Sequence, residues 1–121
     1  MYQSFTIRIF KEEDSQTVLI TDIIINEFKF KLEFDSLDSD IISIEEHYNK
    51  SDGGCFWVAE SIDNNNQIVG TTAVRKLKQF ESTCELKRMY VLMEFRRLGI
   101  GQNMLDTAID FAKKLVIKEW F

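Results

Sequence analysis

The sequence contains no proline, one histidine and only two cysteines among its 121 residues. Cys55 and Cys84 are too few for a disulfide framework, and without paired histidines or cysteines they do not make a zinc or other metal site. No apolar run approaches the roughly 18 residues that a membrane span requires. The opening residues, MYQSFT, include neither a basic segment nor a long apolar segment. We therefore expect no signal peptide, a cytoplasmic location and reduced thiols.

Basic side chains are fewer than acidic ones, 15 against 20, which gives a formal net charge of −5. This charge argues against a nucleic-acid partner and against a polybasic membrane anchor. Residues 1–66 carry 14 acidic and 5 basic side chains, whereas residues 67–121 carry 10 basic and 6 acidic ones. The division is typical of two differently solvated surfaces. It also fits an anionic ligand on the C-terminal half and a cationic one near the N-terminal half, and charge alone does not choose between these interpretations. The length and the hydrophobic content of 45% predict one domain, residues 1–121, with one core.

Hydrophobic periodicity indicates the order of the elements. Segments rich in β-forming residues predict four strands, at residues 4–10, 55–62, 67–77 and 84–93. Helical periodicity or capping residues predict three helices, at residues 15–30, 34–49 and 101–116. The turn sequence DNNN at 63–66 makes residues 55–77 a hairpin. The order β-α-α-β-β-β-α predicts an α+β (mixed α/β) fold, with a mostly antiparallel central sheet flanked by helices.

One junction has a composition suited to anion binding. The strand at 84–93 leads into a short basic loop that opens directly onto the last helix. The first turn of a helix has backbone N–H groups without partners, and the helix dipole adds positive potential there. Gly99 and Gly101 let the backbone approach a phosphate closely, because no Cβ intervenes. Arg96 and Arg97 supply donors that match phosphate oxygens.

Two common phosphate motifs do not fit this loop. A Walker loop requires GxxxxGK[ST], which the sequence lacks. A dinucleotide-binding fingerprint requires GxGxxG, but Met104 stands where the third glycine or alanine belongs. The junction also lacks the parallel βαβ context of that fingerprint.

The pattern Arg96-x-x-Gly99-x-Gly101, behind the strand sequence ELKRMYV, resembles the coenzyme-A loop of the GNAT (GCN5-related N-acetyltransferase) superfamily. That loop reads R/Q-x-x-G-x-G/A, and the similarity extends to the order of elements from Ser4 to Val116. The resemblance implies acetyl-CoA as co-substrate and no metal. It also implies an acetyltransferase that passes an acetyl group to a primary amine of a small molecule or a peptide.

The resemblance further implies which residues bind the co-substrate. Backbone N–H groups from the loop and the helix start would hold the pyrophosphate, and the preceding strand would present its backbone to the pantetheine arm. The acetyl thioester carbonyl would lie near the amides of Tyr90 and Val91, which could stabilise an oxyanion. The full set of predicted co-substrate residues is Met89, Tyr90, Val91, Arg96, Arg97, Leu98, Gly99, Ile100, Gly101 and Gln102.

In this superfamily the amine attacks the thioester directly, so the reaction needs a route for proton loss rather than a protein nucleophile. Glu85 matches a carboxylate that some members place on this strand, and it is the first candidate for the general base. An ordinary salt-bridged strand glutamate is the alternative interpretation of Glu85. Glu60, at the end of the first hairpin strand, is a weaker second candidate.

The sequence departs from the superfamily at its C-terminal end. Members continue with a strand, a helix and a hairpin, whereas here residues 118–121 could only begin that strand. The C-terminal strands are thus missing, and an edge and apolar surface would be exposed. We expect a homodimer, or a partner, to cover that edge. Two rival functions stay open: a catalytically inactive coenzyme-A-binding or interaction module, and a nucleotide-binding protein unrelated to coenzyme A.

Overall fold

The computed structural model describes residues 4–18, 44–50, 53–77 and 83–120, and the side chains of the last helix up to residue 114. Residues 15–18 are helical. The rest of the helix predicted at 15–30, and residues 34–43 of the second one, lie outside this description. The longer elements are the strands β1 (Phe5–Ile9), β2 (Cys55–Ser61), β3 (Gln67–Lys76) and β4 (Cys84–Val91), and the helices α1 (Ile44–His47) and α2 (Ile100–Trp120).

The described strands form one antiparallel sheet in the order β1-β2-β3-β4. The predicted α+β fold with a mostly antiparallel sheet and flanking helices is therefore confirmed. The hairpin predicted at 55–77 is also present. Its turn contains Asn65 and Asn66 with φ angles of 56° and 58°, a left-handed conformation that asparagine tolerates better than most residues.

The sheet is covered on both faces. We call the face that carries Phe56 and Val58 the α1 face, because it packs against Ile44 and Tyr48. The opposite face carries Cys55, Trp57 and Ala59 and packs against α2, and we call it the α2 face. This double coverage explains why the described part of β3 is buried from residue 68 to residue 74.

Two predicted boundaries are wrong at the C-terminal end. Strand β4 ends at Val91, because a 3-10 turn, Met93–Phe95, follows it, with the Phe95 N–H donating to the Leu92 carbonyl at 2.9 Å. Helix α2 continues to Trp120, so residues 118–120 are helical and do not begin a strand. After Gly101 the helix meets neither glycine nor proline, the residues that usually end one. No helix within the described ranges is long and apolar enough to span a membrane.

Candidate functional site: the junction of β4 and α2

The loop between β4 and α2 is anchored at both of its ends. Phe95 before it and Ile100 after it are 7% and 2% exposed, and both belong to a cluster with Met104 on the α2 face. The four residues between them, 96–99, are all exposed. Burial at the two anchors therefore fixes a short, solvent-facing loop against the start of α2.

The loop backbone changes handedness twice. Arg96 is extended, with φ −75° and ψ 158°, whereas Arg97 and Gly99 have φ angles of 66° and 86°. A left-handed residue is costly unless it is glycine, which explains Gly99. The Gly99 carbonyl then accepts the N–H of Asn103 at 3.0 Å and its Nδ2 at 2.8 Å. The first intrahelical bond of α2 thus starts at Gly99.

The start of α2 has the properties of an anion site. Because the first i→i−4 bond is donated by Asn103, the amides of Ile100, Gly101 and Gln102 have no acceptor within the helix. The first turn of α2 contains no acidic side chain, so no local negative charge opposes the dipole. Arg97 is exposed beside these amides. The predicted phosphate-binding segment is therefore brought together as one surface.

Arg96 has a structural contact that the sequence did not reveal. Its Nε donates to the Val91 carbonyl at 2.9 Å. This hydrogen bond ties the basic loop to the last residue of β4. The bond fixes the position of the loop relative to the end of β4. A ligand that contacts both segments requires this.

Strand β4 contains a bulge close to this junction. Thr71 pairs with Tyr90, and Ala73 pairs with Lys87. Between these two pairs, one residue of β3 therefore faces two residues of β4. Arg88 lies within the bulge and has a φ angle of 52°. A bulge of this kind inserts one unpaired residue and bends the strand.

The bulge changes the face on which Tyr90 lies. Directly paired residues share a face, and Tyr90 pairs with Thr71, which pairs with Val58 of the α1 face. Leu86 pairs with Val74, which pairs with Cys55 of the α2 face. Leu86 and Tyr90 are four residues apart and would share a face in a regular strand, but the extra residue places them on opposite faces.

The hydrogen bonds also distinguish the amides of Tyr90 and Val91. The Leu92 N–H donates to the Val69 carbonyl at 2.9 Å, which makes Gly70 and Val91 a non-hydrogen-bonded pair. In such a pair each residue directs its own N–H and C=O away from the partner strand. The Val91 N–H therefore points toward the outer edge of β4, and the Tyr90 N–H points toward β3. The bond from Arg96 to the Val91 carbonyl agrees with this direction.

The two candidate bases lie in separate ion pairs. Glu85 faces Arg75 across the β3–β4 ladder, and the Arg75 guanidinium donates to Glu85 Oε1 at 2.9 Å. The Glu85 side chain is 36% exposed and the Arg75 side chain is 35% exposed. Glu85 lies on the α1 face, as Tyr90 does. Glu60 instead accepts a hydrogen bond from Arg8. Glu60 pairs with Ile68 of β3, and Glu85 pairs with Arg75. These two residues are seven positions apart along β3, or about 20 Å, so Glu60 and Glu85 do not share a site.

The arginine partners of these two glutamates were not apparent from the sequence.

Arg8 also donates to both carboxylate oxygens of Asp14, at 2.7 and 2.9 Å. The hydrogen bond from Arg8 lowers the pKa of the Asp14 carboxyl below its ordinary value. Arg75 could have been found only from the register of the β3–β4 pair, which no local pattern fixes.

The cysteines show no sign of reactivity. Burial raises the pKa of both thiols, so they are protonated at neutral pH and are poor nucleophiles. Within the described part of the chain, no group of three histidine, cysteine, aspartate or glutamate side chains could hold a metal ion.

Comparison with known families and curated proteins gives consistent results. A sequence model described as the acetyltransferase (GNAT) family matches residues 17–121. The chain is 33% identical over 105 residues to a protein of Xenopus laevis described as a probable N-acetyltransferase, camello, covering 83% of this chain and 47% of that protein. It is 39% identical over 77 residues to the human N-acetylaspartate synthetase, covering 64% and 24%. The chain thus spans half or less of the length of these relatives.

Solved structures show the same fold. A GNAT-family acetyltransferase from Staphylococcus aureus Mu50 matches with a TM-score of 0.77 and 31% identity, over 93% of this chain and 68% of that one. A predicted acetyltransferase from Clostridium acetobutylicum, solved with acetyl-CoA, matches with a TM-score of 0.68 and 22% identity, over 92% and 75%.

Proposed function

Because the chain belongs to the GNAT family of acetyltransferases, we propose that it is an acetyl-CoA-dependent N-acetyltransferase. The acceptor is a primary amine, of a small molecule or a peptide, that attacks the acetyl thioester directly. The curated relatives are described as N-acetyltransferases or as N-acetylaspartate synthetases. These descriptions favour turnover over the alternative of an inactive coenzyme-A-binding or interaction module.

One observation supports the proposed co-substrate site above all others: the exposed loop with left-handed Arg97 and Gly99 that opens onto the helix start. The amides of residues 97–102 are the proposed donors to the pyrophosphate. Three of them precede the first intrahelical bond, and no acidic side chain lies in that turn. The chemistry of this donor set suits a diphosphate, since N–H groups and arginine both prefer anionic oxygens.

The outer edge of β4 is the proposed site of the pantetheine arm and the thioester. Met89 and Val91 would present backbone groups there. The Val91 N–H, directed outward, is the better placed of the two predicted oxyanion donors, because the direction of the Tyr90 N–H commits it to the β3 ladder. A donor fixed in this way stabilises negative charge on the thioester oxygen as the amine attacks.

Glu85 is the proposed general base, which removes the proton that the attacking amine loses. It shares the α1 face with Tyr90, whose neighbour Val91 carries the proposed oxyanion donor. Glu60 is the second candidate. Each carboxylate has one oxygen bonded to an arginine, Arg8 for Glu60 and Arg75 for Glu85, so the position of Glu85 on β4 is what favours it.

The co-substrate assignment is tested by thermal unfolding with acetyl-CoA, coenzyme A or ATP. A ligand at 100 times its Kd adds about 2.7 kcal/mol of stability, which raises Tm by several degrees for a domain of this size. We expect acetyl-CoA and coenzyme A to raise Tm and ATP to have little effect. An equal rise with ATP would favour the rival nucleotide-binding function, and no rise with any ligand would contradict the proposed site.

The general base is tested by thiol release from acetyl-CoA over a panel of amines that includes aspartate, since relatives are N-acetylaspartate synthetases. With an accepted amine, we expect Glu85→Gln to lower kcat about 100-fold, in the range of general base catalysis, with little change in the KM for acetyl-CoA. Glu60→Gln is the matched variant and should retain kcat. A loss of kcat in Glu60→Gln alone would transfer the role to Glu60.

A further inference from the structure

The β4 bulge is held by a buried hydroxyl that no part of the proposed chemistry uses. Thr71 Oγ1 donates to the Arg88 carbonyl at 2.6 Å, and Thr71 is 3% exposed. The acceptor belongs to the one residue of β4 with a positive φ angle. The bond therefore connects the central strand β3 to the most strained point of β4.

Strain at Arg88 requires compensation. A non-glycine residue in the left-handed region costs roughly 1–2 kcal/mol, and such residues persist where their surroundings over-determine them. A hydrogen bond from a buried hydroxyl to the carbonyl of the same residue is a compensation of similar size. Thr71 is thus a candidate for the contact that keeps the bulge at Arg88.

The position of the bulge decides which amide faces outward. In a regular strand, N–H direction alternates from residue to residue. Lys87 is the last residue of β4 that pairs in register before the bulge. If the extra residue lay beyond Val91, the N–H groups would alternate without interruption from Lys87 onward. The Tyr90 N–H would then point outward and the Val91 N–H toward β3. With the bulge at Arg88, the Val91 N–H points outward instead.

We propose that Thr71 is a positioning residue: its hydroxyl fixes the β4 bulge and so directs the Val91 amide toward the acetyl thioester. The proposal rests on the proposed function for the identity of the ligand. The effect on the two amides is a property of the ligand-free protein and can be measured independently.

The test is amide hydrogen exchange, followed by NMR, in the ligand-free protein. In the unaltered chain we expect the Tyr90 and Leu92 amides to be protected and the Val91 amide to exchange freely. Thr71→Val keeps the shape and removes the donor. We expect it to lower the protection of Tyr90 about tenfold, equivalent to about 1.4 kcal/mol, while Val58 in β2 is unchanged. Thr71→Ser, which keeps the hydroxyl, should behave as the unaltered chain does.

Thr72 provides a matched control. It is 0% exposed, and its Oγ1 has no hydrogen-bond partner among the residues that the structure describes. Thr72→Val removes a neighbouring buried hydroxyl that makes no bond to β4. It should not lower the protection of Tyr90, because removing an unsatisfied buried hydroxyl relieves a desolvation penalty and breaks no contact. Equal effects of Thr71→Val and Thr72→Val, or no effect of either, would overturn the proposal.

Two further measurements complete the test. If Thr71→Val does not fold, the double variant Thr71→Val/Arg88→Gly should fold, because glycine accepts the left-handed conformation without strain. Its Tyr90 and Val91 amides should then exchange as they do in the unaltered chain. Failure of this rescue would contradict the proposal. The ratio of acetyl-CoA to coenzyme A affinity should fall about fivefold in Thr71→Val, within the value of one hydrogen bond. If the unaltered chain binds neither ligand, the proposed function fails, while the exchange data still decide the role of Thr71.

Discussion

At the scale of single residues, Arg8 connects three parts of the described structure. From β1 it binds Asp14, in the 3-10 turn Glu12–Asp14 before the first helix, and Glu60 in β2. Asp14 also accepts the Lys11 N–H at 2.8 Å. Because Asp14 is 6% exposed, its carboxylate depends on these partners for the hydrogen bonds that water would otherwise supply. The cluster fixes the start of the helix against the sheet edge.

We expect Asp14→Asn to lower the free energy of unfolding at pH 7 by about 2 kcal/mol, because Arg8 loses a bidentate partner but keeps Glu60. The hydrogen bond from Arg8 lowers the pKa of Asp14 in the folded state. Its contribution is therefore complete above the unfolded pKa of about 3.9 and is lost as pH falls through the lower folded value. Urea unfolding at pH 7 and at about pH 2 should show the difference between the two proteins shrinking in acid.

Glu13→Gln serves as the control for this prediction. Glu13 lies in the same turn, but its side chain is 75% exposed and reaches Lys11 only at 4.0 Å. Exposed pairs of this kind contribute little to stability. A loss in Glu13→Gln as large as that in Asp14→Asn would show that general charge, and not the buried pair, stabilises the turn.

At the scale of elements, the junction of β4 and α2 contains two glycines with different roles, Gly99 in the loop and Gly101 in the helix. Gly99 has a φ angle of 86°, and a Cβ there would meet only Asn103 Nδ2, at 3.8 Å. Gly101 lies within α2, and a Cβ there would meet Val91 Cγ2 at an ordinary 3.8 Å. Space is available at both positions, so only the backbone conformation distinguishes them.

We therefore expect Gly99→Ala to destabilise the protein by about 1–2 kcal/mol, the cost of a left-handed alanine. Gly101→Ala should stabilise it by about 0.5–1 kcal/mol, because alanine is the better helix residue. Thermal unfolding measures both changes, and titration with acetyl-CoA should show weaker binding only in Gly99→Ala. Equal destabilisation by both variants would contradict this division of roles.

At the scale of the whole molecule, β4 is an outer strand of the described sheet. Its one described strand neighbour is β3, and Leu86 on the α2 face is 46% exposed. An apolar residue on an outer strand favours pairing with a further chain. The expectation that a homodimer or a partner covers this edge stays a prediction.

We expect sedimentation velocity at micromolar concentration to show a dimer that pairs along the Leu86 end of β4 and leaves the proposed thioester site at Met89 and Val91 open. Leu86→Lys should weaken this dimer, since charge on an outer strand opposes edge pairing. Met93→Lys is the control, because Met93 is 78% exposed but lies in the 3-10 turn outside β4. A protein that sediments as a monomer throughout would remove the prediction. Equal weakening by both variants would place the contact elsewhere.

The fold class, the hairpin at 55–77 and a glycine-containing loop between β4 and α2 could be predicted from the sequence. These features depend on local chemistry: turn residues, helical periodicity, and glycine where the backbone must be left-handed. The missed helix extension past residue 116 is also local, because the absence of a stop signal is visible in the sequence.

The side-chain partners and the amide directions within the site depend on how the strands are paired. The ion pair of Arg75 with Glu85, the separation of Glu60 from Glu85 and the contact of Thr71 with Arg88 all depend on strand register. One extra residue in β4 reverses the face of Tyr90 and the direction of the Val91 amide. Register is set by packing across the sheet and by bulges, which no spacing along the chain encodes.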